Sequence, residues 1–242
     1  ILGAAAESDV DWDSTLETVT ALRHPPPHLS VYALTPEPGT PLAADPRRRP
    51  DDDVQAARYE RTEATLSAAG YGWEEISNWA RPGHGCAHNR LYWQQGDYRG
   101  FGSAAHSHRR GHRWWNVRTP ERYVELVRSG RSPMAAEERL APHQRHFEAL
   151  VLSLRTPAGV PADALDADPA LSALVDVADG RAVLTVRGRL LANLVCAHLR
   201  VEGMQGTGTM PGMADPDDRS PAPAAPVRRP VVAAGGAAHD GR

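Results

Sequence analysis

The chain has 242 residues, 41% of them hydrophobic, enough for one large domain or two smaller ones around a sizeable core. Its net charge of −3 gives no electrostatic case for nucleic acid or an anionic membrane as partner. It has only two cysteines, Cys86 and Cys196, which excludes a disulfide framework, makes a reducing cytoplasm the expected compartment, and falls short of the three or four thiolates of an iron–sulfur cluster.

The opening Ile1-Leu2-Gly3 reads as the end of a buried strand already under way, and hence as part of a longer protein. Ser8 followed three residues later by Asp11 has the spacing of a capped helix start. Trp12, Leu16, Val19 and Leu22 then recur at helical spacing, and the prolines at 25 to 27 end the helix. Residues 28–34 are short, mostly apolar and partly β-branched, as in a strand buried on both faces of a parallel sheet. Strand, helix and strand make a βαβ unit. Residues 36–50 form a loop, and a helix led by Asp51, Asp52 and Asp53 runs to about residue 69, with Gly70 as its stop. Residues 71–77 read as the next strand, and residues 113–117 as one more short strand. Thr119-Pro120-Glu121 starts a helix with Tyr123, Leu126 and Val127 on its buried side.

From about residue 133 the pattern becomes helical, with a hairpin turning at Asp179-Gly180 and a last helix over 185–199, as in a small winged-helix-like domain. Residues 201–242, rich in Gly, Pro, Ala and Asp, have the composition of a disordered tail. The expected division is therefore 1–132, 133–200 and 201–242.

Ligand chemistry is densest over residues 75–93, just past a strand end, where α/β folds place their ligands. On an extended backbone His84, Cys86 and His88 would share one side and could bind zinc or copper, although no fourth ligand is evident. His88 could instead ligate haem iron, with Tyr92 and Trp93 covering a porphyrin face and Arg90 pairing a propionate. The plainer alternative is that Tyr92 and Trp93 are core residues and His88 bonds a loop carbonyl. Glu74 and Glu75 should split, one outward and one into the pocket. Gly100-Phe101-Gly102 lets backbone approach a ligand, and His106 and His108 are either ligands or hydrogen-bonded loop histidines.

The runs HLSVYALTPEPGTPL, YGWEEISNWARPGHGCAHNRLYW, GDYRGFGSAAHSH and RWWNV resemble the oxygen-independent coproporphyrinogen III oxidase family of radical SAM proteins. His88-Asn89-Arg90-Leu91-Tyr92-Trp93 after Glu75-Ile76-Ser77-Asn78 resembles its HemW-type heme-chaperone branch. The resemblance covers roughly residues 1 to 200. It implies an α/β fold: the C-terminal part of a partial (β/α) barrel followed by a small α+β domain. It further implies haem as cargo, with His88 as iron ligand and Asn89, Arg90, Tyr92 and Trp93 around it. Thr35 and His106 would line an S-adenosylmethionine pocket opposite a [4Fe–4S] cluster. Client hemoproteins would be the partners, with a homodimer and a transient, client-mediated membrane contact compatible with that role. A coproporphyrinogen III oxidase, or an inactive truncated product, is the alternative. The sequence departs from the family pattern in several places, among them Ala4 and Ala5 for the usual Thr-Pro and a tail after Leu199 without a family counterpart. The cluster motif Cys-x-x-x-Cys-x-x-Cys is absent, and Ala6 and Ala104 stand where glycine is usual.

Overall fold

The computed structural model describes residues 1–200; the tail expected over 201–242 lies outside the described residues. Helix α1 (Asp9–Ala21) starts as its sequence predicts: the Asp11 amide donates to Ser8 Oγ (3.2 Å) and the Ser8 amide to Asp11 Oδ2 (2.9 Å). Trp12 and Leu16 are buried, but Leu22 is exposed, so the apolar stripe is shorter than the spacing implied.

The first parallel step is present only as a bridge. The Leu2 amide donates to the Tyr32 carbonyl and the Leu34 amide to the Leu2 carbonyl, both at 2.9 Å. Strand β1 (His28–Ser30) ends before that bridge and pairs antiparallel with β3 (Asn78–Ala80). Strand β2 (Gly72–Glu75) also pairs antiparallel with β3, giving the order β1-β3-β2. So β1 and β2 run in the same direction, as expected, but β3 lies between them, and the single strand predicted over 71–77 is corrected to one arm of a tight return. The cause is local. The Glu75 carboxylate accepts from the Ser77 amide (3.3 Å) and from Asn78 Nδ2, folding the chain back on itself.

The loop over 36–50 contains a short helix, α2 (Pro41–Ala44), and a 3-10 turn. Helix α3 (Asp52–Ala68), capped by Asp51, ends at Gly70 in a left-handed conformation (φ 83°). It packs on α1 through Arg58, a buried cation that meets Glu7 (2.6 Å) and Asp9 (3.1 Å). The core below unites Leu2, Trp12, Val31, Tyr59, Leu66 and Trp79. Each large apolar side chain fully buried there is worth about 1.5–3 kcal/mol. Their polar atoms are used: Trp12 Nε1 donates to Thr62 Oγ1 (3.1 Å) and Tyr59 Oη to the Ile76 carbonyl (2.8 Å).

Helix α4 (Ala87–Trp93) precedes a second antiparallel sheet, β4 (His106–Arg109), β5 (His112–Asn116) and β6 (Met134–Arg139), in that order. Only β5 was foreseen. The β4–β5 turn uses Arg110 and Gly111, both at positive φ, and β6 is exposed along its whole length, so it carries no apolar alternation. On α5 (Pro120–Arg128) Leu126 is buried, whereas Val127 is exposed, contrary to expectation.

The remaining elements are α6 (Pro142–Leu154), β7 (Val160–Pro161), two 3-10 turns, β8 (Val175–Ala178), β9 (Arg181–Leu184), α7 (Val186–Leu190) and α8 (Ala192–Cys196). The hairpin β8–β9 turns at Asp179-Gly180 (φ 51° and 72°), as the sequence predicts, and β7 adds a third strand in the order β7-β9-β8. The single helix expected over 185–199 is two. Gly188 is packed so close to the Leu174 carbonyl that a Cβ would overlap it; α7 is thereby fixed on the sheet, and the chain turns at Leu191 before Val195 and Cys196 are buried. Arg189 ties α7 back to the first half of the chain, pairing with Glu63 (2.6 Å) and covering the Trp73 ring at 3.9 Å.

Candidate haem-motif site

The chain reaches α4 through a turn at Pro82-Gly83, with Gly83 at φ 83° and the His84 amide bonded to the Arg81 carbonyl (2.9 Å). This turn, and the helix that begins at Ala87, remove the extended backbone that would have aligned His84, Cys86 and His88. No group of three His, Cys, Asp or Glu able to hold a metal ion occurs among the described residues.

The six residues of the motif divide by role. Asn89 faces inward and donates to Glu75 Oε1 at 3.5 Å, tethering α4 to the β2–β3 return. Glu75 is buried, while Glu74 is half-buried and has no hydrogen-bond or ion-pair partner among the described residues. Both glutamates line a cavity of about 220 Å³ that also takes in His28, Cys86, Arg90 and Trp93. Arg90 donates to the Gly85 carbonyl (3.1 Å). Gly85 is constrained by contact: a Cβ there would overlap the Glu74 carboxylate and come within 3.0 Å of Arg90 Nη2.

His88 and Tyr92 lie one turn apart on the outer face of α4, so their side chains meet. Tyr92 Oη and His88 Nε2 are 2.8 Å apart, and the rings are perpendicular at 4.9 Å. Tyr92 in turn meets Tyr98 edge-on at 4.6 Å, and Tyr98 lies 6.1 Å from His108. Burial, with the nearby Tyr92 phenol, pushes the Tyr98 hydroxyl above the usual tyrosine range. Tyr92 and Trp93 line an open cleft of about 430 Å³ together with Tyr32, Asn89 and Arg155. Arg155 donates to the Val151 carbonyl and to Asn193 Oδ1 (both 2.7 Å) and has no carboxylate partner among the described residues. Tyr32 and Arg155 were not singled out by sequence reading. Tyr32 lies within an ordinary strand pattern, and Arg155 comes from the distant end of α6, so neither carried a local signal.

Thr35 and His106 fall elsewhere. Thr35 lines a separate cleft of about 840 Å³ walled by the 34–50 loop and the start of α3. His106 is exposed on β4 and stacks on Trp115 at 5.5 Å. The structure does not bring them together or to His88. His108 is the hydrogen-bonded histidine. Its Nε2 accepts from the Gly111 amide (2.9 Å), so Nδ1 carries the hydrogen and donates to the Gly96 carbonyl (2.9 Å).

Ala6 (φ 65°) and Ala104 (φ 57°) both occupy left-handed conformations, the physical reason that glycine suits these two places. An iron–sulfur cluster does not fit the residues of this chain. Cys86 is half-buried before α4, Cys196 is buried on α8, and burial pushes the Cys196 thiol up, away from the thiolate a cluster needs. No helix among the described residues is long and apolar enough to cross a membrane.

No protein-family model matches the chain. The heme chaperone HemW of Mycobacterium tuberculosis (strain ATCC 25618 / H37Rv) is 42% identical over 210 residues, covering 82% of this chain and 53% of that protein. The heme chaperone HemW of Bacillus subtilis (strain 168) is 30% identical over 195 residues, covering 73% of this chain and 52% of that protein. Among solved structures, the radical SAM enzyme coproporphyrinogen III oxidase (HemN) from Escherichia coli matches with a TM-score of 0.60 at 22% identity, over 80% of this chain and 52% of that one. The last likeness shows the fold, a partial α/β radical SAM architecture. The chain spans about half the length of these curated relatives. Over the part it spans, the chain belongs to the HemW-type, coproporphyrinogen oxidase-like family of radical SAM proteins.

Proposed function

We propose that this chain is the cargo-holding part of a heme chaperone that binds haem at α4 and passes it to client hemoproteins. The observation that carries the reading is the His88–Tyr92 pair on the open face of α4, beside a cleft walled by Tyr32, Trp93 and Arg155. The rings offer flat apolar surface to a porphyrin, Arg155 offers an unpaired cation to a propionate, and the pair offers ligand atoms to iron. Asn89 serves the site by holding α4 on Glu75. Arg90, whose guanidinium lines the smaller cavity, is a second candidate for a propionate. An open cleft suits a carrier, because cargo that must be handed on has to leave as well as enter.

Haem is cargo here. S-adenosylmethionine and a [4Fe–4S] cluster belong to the family, and no step on this chain is routed through them; Thr35 and His106 keep an S-adenosylmethionine role from the resemblance alone. The division at 132/133, a homodimer, a cytoplasmic location and client-mediated membrane contact belong to the same proposal. A coproporphyrinogen III oxidase is the alternative reading; the motif His88-Asn89-Arg90-Leu91-Tyr92-Trp93 favours the carrier.

The test is a haem titration of the purified chain and of the double variant His88→Ala/Tyr92→Phe, followed by the Soret band. The chain should give a sharp, saturable band that the double variant lacks. The same band in both would remove α4 from the reading.

A further inference from the structure

We propose that β6 is a docking edge for an extended, acidic segment of a partner protein. The segment adds as the next strand of the second sheet, held by free backbone groups and by arginines around the β4–β5 turn. This surface is separate from α4, and the inference stands whether or not haem binds there.

The backbone provides the first observation. The order β4-β5-β6 puts β4 and β6 on the two outer sides of the sheet. The β4 side is closed by Tyr98, whose amide donates to the His108 carbonyl (2.9 Å) and whose carbonyl accepts from the His108 amide (3.0 Å). The outer side of β6 meets no other strand among the described residues, and all six of its residues are exposed. The Leu140 amide donates to the Gly111 carbonyl (2.8 Å), and bonded pairs alternate with non-bonded ones along an antiparallel ladder. With Arg139 opposite His112 and Glu137 opposite Trp114, the amides and carbonyls of Glu137 and Arg139 therefore point outward. A row of unspent donors and acceptors is a template for another strand.

Charge provides the second. Arg109, His112 and Arg139 stand side by side across the three strands, so their side chains share a face. Arg110 sits in the turn, and Arg145 of α6 lies so close to Gly111 that a Cβ there would overlap it. These four arginines are exposed, and no guanidinium among them has a carboxylate partner among the described residues. The neighbouring acids are already engaged. Asp97 accepts from the Arg110 amide (2.8 Å), Glu137 from His112 (2.7 Å) and Glu138 from Arg113 (2.7 Å). A chain laid along β6 thus meets unpaired positive charge, and an acid opposite Arg139 gains a cross-strand ion pair. A nucleic acid or an anionic lipid surface answers the arginines only; a polypeptide answers the arginines and the backbone edge together.

The probe is a fluorescein-labelled peptide of about eight residues that alternates Glu with Thr and Val, read by fluorescence anisotropy against the full chain. The chain should bind it saturably. The same peptide N-methylated at every residue keeps its charge and loses its ladder donors, and should bind at least about tenfold more weakly. Arg109→Glu/Arg139→Glu should weaken binding of the unmodified peptide about tenfold. Haem binding by that variant, followed by the Soret band, should match the parent. A loss of haem binding would mean that the substitutions act on the whole fold, and the N-methyl comparison on the parent chain then decides alone. No binding by the parent, equal binding of the N-methylated peptide, or equal binding by a variant that still takes haem overturns the proposal. So does tighter binding of a single-stranded oligonucleotide, or of a phosphatidylglycerol vesicle, than of the peptide.

Discussion

His88 and His108 stand at the two ends of one row of rings, with Tyr92 and Tyr98 between them, and the ends are built differently. His108 is buried at the β4–β5 turn with both nitrogens committed to backbone groups, one accepting and one donating. His88 is exposed on α4 with one partner, a side chain that can itself react. The same residue type holds the fold at one end and keeps bonding capacity at the other. The difference lies in where the polar atoms are spent: a buried group must be satisfied by the protein, whereas an exposed one can wait for a ligand.

The largest effect expected from breaking this contrast is at His108. His108→Ala strips the Gly111 amide and the Gly96 carbonyl of their partner and leaves a void, so unfolding free energy should fall by about 2–4 kcal/mol. The same substitution at His88 should cost no more than about 0.5 kcal/mol. Urea unfolding of both variants measures the gap; equal losses would mean that His88 also holds the fold.

Tyr98, between them, gives the next effect. Burial and then the Tyr92 phenol raise its hydroxyl pKa, so the folded state keeps the proton longer than the unfolded chain does. Its contribution is complete below the ordinary tyrosine range and is lost as pH rises through the raised value. Tyr98→Phe should therefore flatten the alkaline fall in stability, while His88→Ala should not.

The smallest effect concerns the loop that leads into β4. Ala104 is held at φ 57°, where an L side chain is strained. Ala104→Gly should raise stability by about 0.5–1 kcal/mol, the relief of strain being partly offset by the freer unfolded chain. A midpoint in urea that moves down would show that the loop does not hold this conformation.

Several features were legible in the chain because their causes are local. The Ser8/Asp11 capping box, the stop at Gly70 and the Asp179-Gly180 hairpin each depend on residues a few positions apart. The motif on residues 88–93 was also legible, as was the shortage of thiolates for a cluster. Other features depended on partners distant in sequence. Nothing near Glu75 in sequence announced that its carboxylate would also accept from Asn89, fourteen residues on. Nothing near Gly188 announced the Leu174 carbonyl that packs against it inside α7. The cleft needed Arg155 from the end of α6 and Tyr32 from beyond β1 to meet α4. The sequence alone determined where side chains with ligand chemistry concentrate, over residues 75–93, since that chemistry belongs to side-chain type and spacing. Only the tertiary structure decided that Tyr32, Trp93 and Arg155 line one cleft, because residues far apart in sequence meet only when their elements pack.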